Sequence, residues 1–310
     1  MNHTSKKWIT GGFSALLALG LTMSSCKKST PNNPASEETT TSSDNALAEH
    51  TVSDMTEMSA QASDGSSGLA SYRVEPGYDP VLALGCATVA YNAAAKTDTI
   101  TFNGSMCMDG KTRSGQLILN WSGSTGGAVH YRDPGFSCSI TSNNYVVNNY
   151  AVNINNKTVT NTTPSGFNPM TTNETWAINA NISVTKPSGG GTFTWICSRV
   201  KTLLNTSDTS VFHGVGPTSR AITWSKARIG VTGSANGTTA TGLTYTATIT
   251  NQLIRDFGGC NISGQHPFIK GTIQFTPSGH PTRTIDYGNG TCDLTYTVTV
   301  NGNTYTLTMP

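Results

Sequence analysis

The stretch that decides the fold is CATVAYNAAAKTDTITFNGSMC, Cys86 to Cys107. Val89 and Tyr91, then Ile100 and Phe102, alternate with polar residues on either side of an Ala-rich turn near Ala95. Apolar residues at every second position line one face of a strand, so the stretch reads as a two-stranded hairpin. With the turn at Ala95, Cys86 and Cys107 fall at the same open end.

A near relative of this stretch recurs as GTIQFTPSGHPTRTIDYGNGTC, Gly271 to Cys292, with its turn near Gly279. A looser one lies between them as ANISVTKPSGGGTFTWIC, Ala180 to Cys197. The strand starts Thr88, Asn181 and Thr272 are 93 and 91 residues apart. Thr99 to Cys107 and Thr284 to Cys292 both span eight residues. Either a hairpin unit has been duplicated or Thr-rich hairpins share one look. The cysteine spacing favours duplication for the outer pair.

Alternation continues along the chain through Leu117 and Leu119, Tyr145 to Ile154, Thr175 to Val184, Phe193 to Val200, Ile222 to Val231 and Leu243 to Ile249. It ends in TYTVTV and NTYTLTM around Asn301-Gly302, a strong hairpin signal. Further turn marks are Asn103-Gly104, Pro187-Ser188-Gly189, Asn236-Gly237 and Asn289-Gly290. Helix signals are nearly absent beyond Tyr72. The expected fold is all-β, a large antiparallel meander or sandwich with an internal hairpin duplication.

The N-terminus has a different character. Lys6 and Lys7 precede an apolar run from Trp8 to Met23, then Ser24-Ser25-Cys26. That order describes an export signal over residues 1–25. LTMSSC resembles a bacterial lipobox, with Met23 where Leu is usual. The resemblance implies a diacylglycerol thioether on Cys26, which becomes the first mature residue. Lys27 follows in place of the Asp that retains enteric lipoproteins at the inner membrane. The expected location is therefore the outer membrane, lipid-anchored, facing the periplasm or the exterior.

Residues 26–71 are rich in Ser, Thr, Asn, Pro and acidic residues, and the expectation is a disordered tether. Ala46 to Met58 retains some capacity for a short helix on contact. Residues 72–310 form the all-β domain, with room for two related halves. This domain has 15 Lys and Arg against 10 Asp and Glu, a net of +5. The basic residues are spread thinly, so no nucleic-acid footprint is present.

Apart from Cys26, six cysteines remain: Cys86, Cys107, Cys138, Cys197, Cys260 and Cys292. An even number in an exported chain points to disulfides, and no close pair suggests zinc. The hairpin reading pairs Cys86 with Cys107 and Cys260 with Cys292. Cys138–Cys197 follows by elimination.

Several segments resemble a family of uncharacterised Bacteroidetes-type secreted lipoproteins. They are TITFNGSMCMDGKTRSGQLIL, YRDPG, NYAVNINNKTVTN, GSANGTTATGLTYTATIT with LIRD, and RTIDYGNGTCD. The resemblance covers most of residues 84–307. It implies the anchor, the all-β fold and the cysteines, and it implies no catalytic residue.

Candidate chemistry is sparse. Asp286, Asn289 and Asp293 cluster as calcium ligands do, but Asn-Gly turn chemistry explains them without a metal. Asp109, Lys111 and Arg113 form a similar polar cluster that reads as a turn. Arg132-Asp133 and Arg255-Asp256 end similar strands and could face one another. No G-x-S-x-G, H-E-x-x-H or phosphate-loop pattern occurs, and the histidines stand isolated. Trp121, Trp176, Trp195 and Trp224 read as core residues, with sugar stacking as the alternative. No catalytic residue and no cofactor are expected. The expected function is a binding or structural role at the envelope, with the membrane, a glycan or an envelope protein as partner. The alternative is a secreted hydrolase acting on glycan or peptide.

Overall fold

The computed structural model describes residues 34–66, 86–213 and 221–309. The expected signal peptide, Cys26 and the two ends of the expected tether lie outside the described residues. A helix α1 (Pro34–Ser66) comes first. Seven strands follow: β1 (Ala87–Asn92), β2 (Thr97–Met106), β3 (Thr112–Asn120), β4 (Ser137–Val147), β5 (Tyr150–Asn161), β6 (Thr175–Thr185) and β7 (Thr192–Leu203). A short two-stranded ribbon, β8 (Phe212–His213) and β9 (Ala221–Ile222), stands apart. Six more strands complete the chain: β10 (Arg228–Thr238), β11 (Thr244–Asp256), β12 (Phe268–Pro277), β13 (Arg283–Asn289), β14 (Thr295–Val300) and β15 (Asn303–Thr308).

Apart from the ribbon, these strands make one thirteen-stranded antiparallel meander, not a sandwich. Every neighbour pair is antiparallel, and the number of strands is odd. β1 and β15 therefore run in the same direction. They cannot close the sheet with one more antiparallel ladder, and the sheet is not closed into a barrel.

The expected alternation sets the two faces. Trp176, Ile178, Ala180, Ile182 and Val184 of β6 are buried, and the residues between them are not. The outer face is mostly Thr, Ser and Asn, with Ile196 and Val200 of β7 exposed among them. One row crosses all thirteen strands from Asn92 through Asn120, Thr158, Ser198 and Thr248 to Thr304, each residue in cross-strand register with the next. Its members are all Ser, Thr, Asn or Gln. Hydroxyl pairs such as Thr185–Thr192 at 2.9 Å and Thr194–Thr238 at 2.6 Å join neighbouring strands on that face.

The two outer hairpins share one register: Val89 faces Ile100 in the first, and Ile273 faces Ile285 in the second. The middle one does not. There Ile182 faces Trp195, two residues on from the equivalent Phe193.

One expected turn forms and two fall inside strands. Asn301-Gly302 closes β14–β15 with positive φ at both residues, as a tight hairpin requires. Asn103-Gly104 and Asn236-Gly237 lie inside β2 and β10, and the first sits at a break in register with β3. The span Tyr145 to Ile154 is two strands, β4 and β5, folded at Asn148-Asn149, where both φ are positive. Asn tolerates that region better than most residues, so the pair acts like Asn-Gly.

The largest departure is α1. Most of the expected tether is a 33-residue helix, and no residue from Thr41 to Ser63 is exposed. The expectation weighed apolar area alone, and α1 has little: Ala46, Ala48, Val52, Met55, Met58, Ala60 and Ala62 are its buried apolar residues. Glu49, His50, Thr56, Glu57 and Ser59 are buried with them. Side chains from β3, β5, β7, β11, β13 and β14 all bond to α1, so the sheet curls around it.

Candidate functional site

The inner face of the sheet carries cations among its apolar residues. Arg113 on β3, Lys157 on β5, Arg199 and Lys201 on β7, Arg255 on β11 and Arg283 on β13 are all buried. Strand alternation places each of them facing inward. The helix they face has seven acidic residues and no Lys or Arg. The all-β domain's surplus of positive charge is thus met by the negative charge of α1.

The pairing is specific. Arg199 grips Glu49 through Nε at 3.2 Å and Nη2 at 2.6 Å. Lys201 Nζ donates to Glu57 Oε1 at 2.7 Å. Arg255 donates to Asp54 Oδ1 at 3.1 Å, to Ser53 Oγ at 2.7 Å and to the His266 carbonyl at 2.6 Å. Lys111, just before β3, donates to Asp54 Oδ2 at 2.9 Å. Arg283 donates to Thr41 Oγ1 and to the Glu38 carbonyl. Lys186 pairs with Asp44 at 2.5 Å near the opposite end of the strands.

Asp54 is the centre of this seam, because it ties β3 to β11 across the curled sheet. Burial alone would push its carboxyl up. Lys111, Arg255 and Arg113 outweigh that and hold it well below the usual carboxylate range. Arg113 is locked in turn by a two-pronged bond to Asp109, at 2.8 and 2.6 Å. Lys157 has no carboxylate within ion-pair distance among the described residues, and its Nζ donates to Thr56 Oγ1 at 2.8 Å. Burial lowers it to about 8.

Two small clefts flank Asp54. One is lined by His50, Asp54, Asp109, Lys111, Arg255 and His266, with Met309 at its rim. The other lies between α1 and Tyr145, Val147 and Tyr150. His50 packs edge-on against Phe268, and its Nε2 lies 3.1 Å from Met309 Sδ. Burial, then Arg255 and Lys111, push it down to about 3, so it is neutral. His266 donates from Nδ1 to the Cys260 carbonyl at 2.8 Å and is lowered mainly by burial. No residue lining the first cleft carries a hydroxyl or a thiol.

Two disulfides hold the mouth of the first cleft. Cys86–Cys107 and Cys260–Cys292 both form, as the hairpins implied. The loops they tie meet at Gly264, where φ is +84° and an added Cβ would lie 2.4 Å from the Met108 carbonyl. Cys138 and Cys197 do not pair. They lie on β4 and β7, with β5 and β6 between them, roughly three strand spacings of 4.8 Å apart. A disulfide needs about 5.5 Å between Cα atoms. Both are buried free thiols, pushed up to about 12 by burial.

The other sequence candidates scatter. Asp286, Asn289 and Asp293 each accept hydrogen bonds from their own turns, at Gly288, Thr291 and Thr295. Among the described residues no group of three acidic, His or Cys side chains is placed to hold a metal. Asp133 and Asp256 also cap local turns, so Arg132-Asp133 and Arg255-Asp256 do not form one site. All four candidate tryptophans are buried. The DGKTR segment, read as a turn, supplies Asp109, Lys111 and Arg113 to the seam. No sequence signal marked Glu49, Asp54 or Glu57, because their partners lie between 57 and 201 residues away.

Comparison with known proteins finds no matching family model, no matching curated protein and no matching solved structure.

Proposed function

We propose that the protein is a lipid-anchored envelope protein of the outer membrane with a structural or binding role, and that α1 is the link between anchor and sheet. The observation that carries this reading is the burial of α1 inside the sheet. The segment following Cys26 enters the fold after only seven intervening residues and is gripped along its length by ion pairs. Seven residues reach at most about 25 Å. The sheet would then sit close to the lipid surface. Any pull between membrane and sheet passes through α1. The two disulfides suit an oxidising compartment.

The inner face is filled by α1, and the outer face is uncharged and polar along its central row. A structural partner or a hydroxyl-rich polymer such as a glycan fits that outer face better than a charged ligand. Hydrolysis has less support, since the cleft beside Asp54 offers no hydroxyl or thiol nucleophile. The test is fractionation of cells expressing Cys26→Ser. The wild type should sediment with outer membranes and the variant should be soluble in the periplasm. Equal membrane retention of both would refute the anchoring.

A further inference from the structure

We propose that Lys201 and Glu57 become joined by an amide bond that staples α1 to β7. Among the described residues three lysine–carboxylate contacts hold α1, and they differ in access to water. The side chains of Lys111 and Asp54 are 13% and 16% exposed, and those of Lys186 and Asp44 are 15% and 10% exposed. Partial access to water favours the charged forms in both pairs, and at Asp54 the surrounding cations add to it. Lys201 and Glu57 are 2% and 3% exposed. The Lys201 nitrogen sits 4.6 Å from the Trp224 ring centre, 5.2 Å from Trp176 and 5.1 Å from Tyr131. Among the described residues its one further hydrogen bond is to the Tyr131 hydroxyl at 3.2 Å.

A site closed to water disfavours the two charges relative to the neutral amine and acid. Burial lowers the Lys201 ammonium against the pull of Glu57. The neighbouring contacts cannot do the same chemistry. Arg199 on Glu49 has no deprotonated form to attack with, and Lys157 faces a threonine hydroxyl.

The step balances without any other reactant. The Lys201 ammonium passes one proton along the 2.7 Å hydrogen bond to the Glu57 carboxylate, giving an amine and an acid. Nζ attacks Cδ and the C–N bond forms. The Cδ–OH bond breaks, and the hydroxyl leaves as water with a second Nζ proton, relayed by the Tyr131 hydroxyl. Holding the two groups in contact supplies the proximity that condensation in water lacks.

The test is peptide mapping by mass spectrometry of the purified full-length protein, denatured and reduced. The expected result is a branched peptide joining the segments around Glu57 and Lys201, lighter than their sum by one water, with no tryptic cleavage after Lys201. The peptide ending at Lys111 and the peptide that carries Lys186 within it, before Pro187, should be unlinked. Lys201→Arg keeps the charge, removes the reaction and should yield two separate peptides. Cleavage after Lys201 with unmodified Glu57 in the wild type would overturn the proposal, whether or not the variant folds.

Discussion

The helix and the strands around it are buried to similar depth by opposite means. β6 hides Trp176, Ile178, Ile182 and Val184 on one face and, apart from Ala177, shows polar residues on the other. α1 has no such division. It buries Glu49, His50 and Glu57 alongside Val52, Met55 and Met58. Removing apolar area from water stabilises a strand whatever it packs against, at about 25 cal/mol per Å². A buried carboxylate is tolerated only where a cation waits for it. An apolar strand such as β6 could therefore pack on many surfaces, whereas α1 fits only one that presents cations to it.

The largest expected effect comes from breaking that match. Glu49→Ala leaves Arg199 charged and buried without its carboxylate, and should cost about 3–5 kcal/mol. Ile182→Ala, a cavity on the apolar side of the same comparison, should cost about 2–5 kcal/mol. Urea unfolding of both measures the two modes of burial directly. A loss below about 1 kcal/mol for Glu49→Ala would mean that the ion pair does not hold α1.

A second break acts at the edge of the seam. Cys260 and Cys292 are 32 residues apart, and they tie the loop that carries His266 over the first cleft. Replacing both with Ala should cost about 3–4 kcal/mol on the chain-entropy account of a loop that size. The same change at the free Cys138 and Cys197 removes only buried volume. Thermal unfolding of the two double variants should place the Cys260/Cys292 pair lower. The reverse order would count against the observed pairing.

Acid sharpens the comparison, because it acts on α1 and spares the apolar packing. His50 is held at about 3 in the folded chain, so between pH 6.5 and that value only the unfolded chain takes up its proton. Stability should fall as pH drops through this window, by about 1.4 kcal/mol per pH unit once well below 6.5. His266, also lowered, adds a loss of the same sign. Asp54, held below its usual range, extends the loss below about pH 4. Asp44, raised by burial, works in the opposite direction. His50→Gln should flatten the slope between pH 6 and 4. An unchanged slope would show that His50 is not the group responsible.

How far the sequence foretold each region follows from the same contrast. Strand patterning is local: Val89 with Ile100, or Ile273 with Ile285, is set by a period of two and a nearby turn. The first and last hairpins and their disulfides were legible for that reason. Cys138–Cys197 failed because elimination ignores sheet order, and two whole strands lie between those residues. α1 was illegible because its burial depends on partners elsewhere. The match of Glu49 to Arg199 spans 150 residues. Without Arg199 in view, a Ser, Thr and Glu-rich segment looks like a solvated tether. Likewise Asp109-Gly110-Lys111 has the composition of a turn, and only the fold reveals that Lys111 and Arg113 reach Asp54.

The smallest expected effect lies on the outer face, and it tests whether the polar row is structural or functional. Thr248 stands near the middle of that row, exposed, between Ser234 and Gln274 in register. No hydrogen bond to its side chain ties it to a neighbour among those described, unlike Thr194 with Thr238. An exposed strand position of this kind changes stability by about 0.5 kcal/mol or less when truncated to Ala. If the row serves only to keep a wide open sheet soluble, Thr248→Ala should leave both stability and envelope behaviour unchanged. If the row is the binding surface, the same variant should keep its unfolding midpoint and lose retention on the glycan or envelope fraction that the wild type binds. The change is too small to disturb the fold, so a loss of retention could not be assigned to α1 or to the seam. It would locate the interaction on the one face that α1 does not fill.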